Sequence, residues 1–249
     1  AASDVYKRQL EDRCPRSVAG AVVSLADKID SVVGGFATGQ EPTGSSDPFA
    51  LRRQGNGILK VMVEACLPIA LKPIIELALN SLDMAWRKPR FEVFNLVVEF
   101  LEERLRYYLE TVRKLRYDTV RAVLASGWDV PEDAWRRAEA LEKIRGGENF
   151  EALSVAAKRI KNILAKSATA SDWGPGAVDV ALLVEGPERS LHREFELVAA
   201  EAASQAGAGD YQGALESIAT LRPAVDLFFD KVLVMAEDRA LRRNRLRLL

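Results

Sequence analysis

The chain is poor in the residues that make and break bonds. Its 249 residues include one histidine, His192, and two cysteines, Cys14 and Cys66. A single imidazole cannot build a histidine-rich metal centre, and no sequence feature sets a base beside a nucleophile. The cysteines show no CxxC or Cys/His spacing, which excludes a zinc ribbon or disulfide framework and fits a reducing compartment. Neither charge is in excess: the net charge is -1, so any nucleic-acid contact must come from local patches. No apolar run approaches the ~18 residues of a membrane span. The opening AASDVYKRQ lacks the apolar core of a signal peptide. Residues 1–10 read as a non-native leader, because they join poorly to the helical sequence after them.

What remains is 48% hydrophobic and 29% charged, the balance of a protein with a real core. Apolar spacing follows the helical period almost throughout, and strand-like alternation is nearly absent. The fold class read from this is all-α. Ser17 to Val33 is predicted as a helix with Val18, Val22, Leu25, Ala26, Ile29 and Val33 on one face, ended by Gly34 and Gly35. After a loop over 35–47, Asp47-Pro48 suits a helix start, with Asp as N-cap and Pro at the first position. That helix runs to Glu64 or Ala65, and its Gly55 and Gly57 suggest close packing against another backbone. Leu67 to Trp86 reads as a helix kinked near Pro73. Lys88-Pro89 punctuates the chain, and a domain boundary is placed there. Further helices are predicted over 91–113, 117–125, 131–144, 150–166, 187–206, 210–221 and 223–235, with Asp129 and Glu132 at the start of the one over 131–144.

Few motifs carry chemistry. His192 sits in a polar stretch and reads as a solvated surface residue. Pro42-Thr43-Gly44-Ser45-Ser46 has the composition of a phosphate cradle but not the GxxxxGK[ST] spacing. Asp27 and Asp30 share a helix face, where capping or ion pairing with Lys28 competes with acid–base work. Local basic patches are more informative. In AAKRIKNILAK, Lys158, Lys161 and Asn162 share a helical face beside Arg159, while Ile160, Ile163 and Leu164 point inward. The terminal RALRRNRLRLL holds five arginines. With Leu241, Leu246 and Leu249 packed, Arg242, Arg243 and Arg245 are left partly exposed. Arginines suit phosphate and asparagine can read base edges. A charged, solvated helix end explains the same run. Trp173, Phe228 and Phe229 read as core rather than stacking platforms.

Several of these stretches together resemble one family. Leu25-Ala26-Asp27-Lys28-Ile29-Asp30, Pro42-Thr43-Gly44-Ser45 and Asp47-Pro48-Phe49-Ala50-Leu51-Arg52-Arg53 are similar to signatures of the β subunit of bacterial glycyl-tRNA synthetase, with Ser46 where lysine is common. Tyr117-Asp118, the run 156–164, and the run 224–235 followed by Asp238, Arg243, Asn244 and Arg245 resemble later signatures, in the family's order.

The resemblance implies an end segment of roughly the last third of such a subunit. Residues 11–88 are expected to be the C-terminal part of an HD-like helical domain, and 89–249 a DALR-type anticodon-binding helical bundle. In HD hydrolases an Asp at the position of Asp27 ligates metal with upstream histidines that this chain lacks, so a metal phosphohydrolase is the weaker alternative; a helical docking scaffold is another. The expected role is binding tRNA(Gly) at its anticodon region. In the family the α subunit of an α2β2 tetramer uses ATP with magnesium, and this chain is expected to hold no cofactor, metal or catalytic residue. Lys158, Arg159, Lys161, Asn162, Arg243, Asn244 and Arg245 are the expected RNA contacts. Asn244 and Arg245 can instead clamp the terminal helix. Arg52 and Arg53 are candidates for contact with tRNA or the partner subunit. The expected location is cytoplasmic, without membrane contact.

Overall fold

The computed structural model describes residues 14–82, 86–168 and 176–249. The leader read over 1–10 and Trp173 lie outside them. Among the described residues the regular structure is helical, apart from one isolated bridge between Thr43 and Ser46. None of the described helices is long and apolar enough to cross a membrane. Contacts divide the chain into two units, Ala1–Glu139 and Ala140–Leu249.

The first unit is built on α1 (Val18–Ala37), α2 (Leu51–Glu64), α3 (Leu71–Ser81) and α4 (Arg90–Tyr107). Helix α4 packs on all three of the others, so Lys88-Pro89 does not separate two units. Pro89 is instead the N-cap residue of α4. The unit continues through α5 (Tyr117–Ala125) and into α6 (Pro131–Ile144), both with the predicted limits.

Helix α1 does not stop at its glycines. Ser17 caps it by accepting from the Gly20 amide, and the helix continues to Ala37. Gly35 is there for packing, since a Cβ on it would stand 2.7 Å from Leu51 Cδ1, whereas a Cβ on Gly34 would meet no neighbour. The reversal comes later, at Gly39, with φ +71. The buried face is Ala21, Leu25, Ile29, Val32, Val33 and Phe36, whereas Val18, Val22 and Ala26 are exposed.

Helix α2 starts three residues later than Asp47-Pro48 suggested. Ala50, in the left-handed region at φ 54, is its N-cap residue. Asp47 still caps it from a distance, its carboxylate accepting from the Leu51 and Arg52 amides at 2.7 and 3.0 Å. Asp47→Ala is expected to destabilise the first unit by about 1 kcal/mol. A urea denaturation checks this, and Asp47→Asn, which keeps an acceptor, should recover most of the loss. Gly55 and Gly57 do admit close neighbours, but these are side chains rather than backbone: Phe100 and Arg104 over Gly55, Lys28 over Gly57.

Cys66, at φ 50, breaks the chain after α2. Helix α3 therefore begins at Leu71, and Pro73 falls in its first turn, where a missing N–H causes no kink. Asp129 serves α3 rather than α6: its carboxylate accepts from the Lys72 amide at 2.9 Å and its carbonyl from the Leu71 amide at 2.8 Å. Glu132 does lie in the first turn of α6 and pairs with Arg136.

The second unit holds α7 (Glu148–Ala168), a 3-10 turn Val180–Leu182, α8 (Gly186–Gly207), α9 (Tyr211–Ala219), α10 (Arg222–Lys231) and α11 (Arg239–Leu248). Helix α10 stops short of Met235, because Val232 turns extended. Helix α8 packs against α9, α10 and α11, and α7 against α9 and α10. The core between them centres on Phe228, which is fully buried, with Leu191, Val225 and Leu246 around it. Phe229 packs against its edge at 5.6 Å between ring centres.

Candidate nucleic-acid interface

Helix α7 carries the clearest cationic surface. Glu148 and Glu151 lie in its first turn and Lys166 in its last, the charge order that suits a helix dipole. Leu153, Ala156, Ile163 and Leu164 pack against the core of the second unit. Lys158, Arg159, Lys161 and Asn162 are exposed. Among the described residues, Lys158, Lys161 and Asn162 use their side chains in no hydrogen bond or ion pair. The Arg159 guanidinium lies 4.1 Å from the centre of the Phe229 ring. That stacking holds a planar cation at the surface, with its N–H groups unengaged among the described residues.

Helix α11 is different. Its N-cap, Asp238, accepts from the Ala240 and Leu241 amides. Arg243 is exposed and, among the described residues, unpaired. Asn244 and Arg245 are buried, at 2% and 5% exposure. The Asn244 amide grips the backbone of Asp179: its Oδ1 accepts from the Asp179 N–H at 2.7 Å and its Nδ2 donates to the Asp179 carbonyl at 2.9 Å. Arg245 donates from Nε to Glu188 at 2.6 Å, from one terminal nitrogen to Glu185 at 2.8 Å, and from the other to the Leu233 carbonyl at 2.8 Å. Both side chains clamp α11 within the unit and are turned away from solvent. The sequence pattern leaves Arg245 partly exposed because its partners are far away in the chain. The signal that was available is the Glu185 and Glu188 pair, a capping box at the start of α8. Arg242 donates to the Ala236 carbonyl and is half-buried.

In the first unit, Arg53 is exposed and Arg52 half-buried on the opening turn of α2. The loop before them does not form a phosphate cradle. The Thr43 and Ser46 amides donate to each other's carbonyls at 3.0 and 2.7 Å, closing a tight turn with Gly44 at φ +48. The loop is fixed to the segment before α4: Glu41 pairs with Lys88 at 2.7 Å, and Arg87 covers Gly39. The hydrogen bond from Lys88 to Glu41 raises the lysine pKa.

The sparse reactive groups are also placed. Burial, followed by the neighbouring Glu64 carboxylate, pushes the Cys14 thiol up to about 11, which keeps it protonated and a poor nucleophile at neutral pH. His192 is half-buried, with Nδ1 3.6 Å from Glu196, rather than solvated. Among the described residues no three His, Cys, Asp or Glu side chains gather into a metal-binding group.

Comparison with known proteins gives this arrangement its context. The family model described as glycyl-tRNA synthetase beta subunit matches residues 1–125, half of the chain. The chain belongs to the glycyl-tRNA synthetase beta subunit family. The model described as DALR anticodon binding domain matches residues 153–249 of this family member. That span contains the α7 surface and all of α11. The interval between the two matches contains the division at Glu139 and Ala140. Similar curated proteins are the glycine–tRNA ligase beta subunits of Acidobacterium capsulatum, 45% identical over 96% of this chain and 34% of that protein, and of Myxococcus xanthus, 40% identical over 97% and 35%. That of Pasteurella multocida is 39% identical over 96% and 34%. The chain thus spans about a third of the length of the curated beta subunits it matches.

Proposed function

We propose that the chain is the tRNA-holding part of a glycine–tRNA ligase beta subunit and that its second unit takes the anticodon region of tRNA(Gly). One observation carries this: the residues matching an anticodon-binding domain display an exposed cationic face, Lys158, Arg159 and Lys161, that no acidic side chain of the described residues neutralises. Its work is recognition, not bond making. Lysine and arginine hold phosphates of the anticodon stem, and Asn162 reaches base edges of the unpaired loop. Arg243 supplies a further cation on α11. Glycine activation, with ATP and magnesium, falls to the α subunit of an α2β2 assembly in the cytoplasm. Arg52 and Arg53 are assigned to contact with tRNA or that subunit. The first unit's part through residue 88 is taken as HD-like.

Charge reversal tests the reading. Lys158→Glu with Lys161→Glu should weaken binding of tRNA(Gly), and of an anticodon stem-loop hairpin, at least about tenfold at moderate salt. It should also flatten the plot of log affinity against log salt by about two phosphate contacts. Unchanged affinity and slope in a filter-binding titration would sink the assignment. In that case, retention of the α subunit by the same variant would favour a docking scaffold.

A further inference from the structure

We infer that Lys114, Tyr117 and Arg121 form a second RNA-contact surface, on the first unit, that takes an unpaired nucleotide of the tRNA outside the anticodon arm together with its flanking phosphates. This rests on the reading that the chain binds tRNA.

The surface is built by an irregular corner. Helix α4 passes into a π-helical turn, Tyr108–Val112, closed where the Arg113 amide donates to the Tyr108 carbonyl at 3.0 Å. Such turns are rare and recur at functional sites. The Leu115 amide donates to the Leu109 carbonyl at 3.1 Å. Between them Lys114 takes φ 60, the left-handed region that lysine seldom adopts. The corner is held from below: the Arg113 guanidinium lies 4.3 Å from the centre of the Trp135 ring and 5.5 Å from that of Tyr108. A strained, well-supported backbone carrying an exposed cation is the kind of outlier that points to a function.

Helix α5 then begins at Tyr117. It buries Thr119, Val120, Val123 and Leu124. Tyr117 and Arg121, four residues apart, are left on its solvent side, with Tyr117 65% exposed. Their Cβ atoms are neighbours at about 5–6 Å. The acid between them, Asp118, accepts from the Thr119 amide of its own first turn.

The neighbouring cations set these apart. Arg104 and Arg106 on α4 pair with Glu103 and Glu102, and Arg136 and Arg137 on α6 pair with Glu132 and Asp133. Among the described residues, the side chains of Lys114, Tyr117 and Arg121 form no hydrogen bond or ion pair. An exposed aromatic ring flanked along the chain by two unneutralised cations is the recognition chemistry of single-stranded nucleic acid: the ring stacks on a base, and the cations hold neighbouring phosphates. A paired stem offers no free base face, so the target is an unpaired nucleotide.

Fluorescence-anisotropy titrations of the whole chain with a tRNA(Gly) transcript, and with a hairpin of its anticodon arm alone, test this. Tyr117→Ala should weaken transcript binding about tenfold, and Tyr117→Phe, which keeps the ring, should not. Lys114→Asn with Arg121→Gln should lower the salt slope for the transcript by about 1.5–2. Asparagine accepts the left-handed backbone at position 114, so the fold is preserved. Neither change should alter hairpin affinity. Transcript affinity and slope unchanged in these variants overturn the inference, and so does an equal loss on the hairpin. Failure of the anticodon reading shows separately, as hairpin binding that survives Lys158→Glu with Lys161→Glu.

Discussion

Arg245→Met is expected to destabilise the second unit by about 3–5 kcal/mol, because it leaves a carboxylate buried without its cation. Glu188 is fully buried. One of its oxygens accepts from the Glu185 amide at 2.7 Å, and the other receives Arg245 Nε at 2.6 Å. Removing the guanidinium also strands the Leu233 carbonyl and frees Glu185. A surface ion pair would contribute no more than about 1 kcal/mol. Urea denaturation followed by circular dichroism separates the two cases, and a loss below about 1 kcal/mol would contradict a buried clamp. Glu188→Gln in the Arg245→Met background should recover part of the loss, since the stranded charge is gone, giving a coupling of about 1–3 kcal/mol. RNA binding supplies an independent check. Arg245 presents no charge to solvent, so the variant, while folded, should keep the wild-type salt slope for tRNA.

The second large effect lies in the first unit. Phe100→Ala is expected to cost about 3–5 kcal/mol. The ring sits 5.2 Å from that of Phe36 on α1 and lies directly over Gly55 on α2, so its loss opens a gap among three helices. Gly55 makes the prediction sharper. A Cβ there would stand 2.8 Å from Phe100 Cε1 and 3.0 Å from Arg104 Cγ. In the wild type, Gly55→Ala should therefore cost about 1–3 kcal/mol through overpacking, exceeding the ~1 kcal/mol that alanine gains in helix propensity. With Phe100 truncated the clash with the ring is relieved and the flexible Arg104 side chain gains room to shift away, so Gly55→Ala should become neutral or stabilising. A double-mutant cycle measures the reversal of sign. Equal costs in both backgrounds would show that the glycine is not there for the ring.

These two sites mark how far the sequence alone could be read. Where a boundary is fixed by local chemistry it was legible: α5 and α6 begin and end where their periodicity and Pro131 indicate. The i, i+3, i+4 spacing of Lys158, Lys161 and Asn162 likewise gave their shared exposed face, because it depends on one helix only. Where a distant element decides, local rules misled. Gly34 and Gly35 read as a stop, but Leu51 fills the space at Gly35 and the helix runs on. Asn244 and Arg245 have the composition of an RNA-contact run, but Asp179, Glu185 and Glu188 claim them from up to 65 residues away. A left-handed lysine leaves no trace in hydrophobic periodicity, so the conformation of Lys114 is visible only in the structure.

The cap of α3 has a consequence for the order in which the chain matures. Its first amides are satisfied by Asp129, and the Lys72 contact spans 57 positions of sequence. On a ribosome, the start of α3 therefore emerges long before the residue that completes it. Until Asp129 emerges, those amides are left to water and the first turn of α3 lacks its cap. The turn between α5 and α6 thus acts as a latch on α3, and the first turn of that helix is completed only once residue 129 has been made.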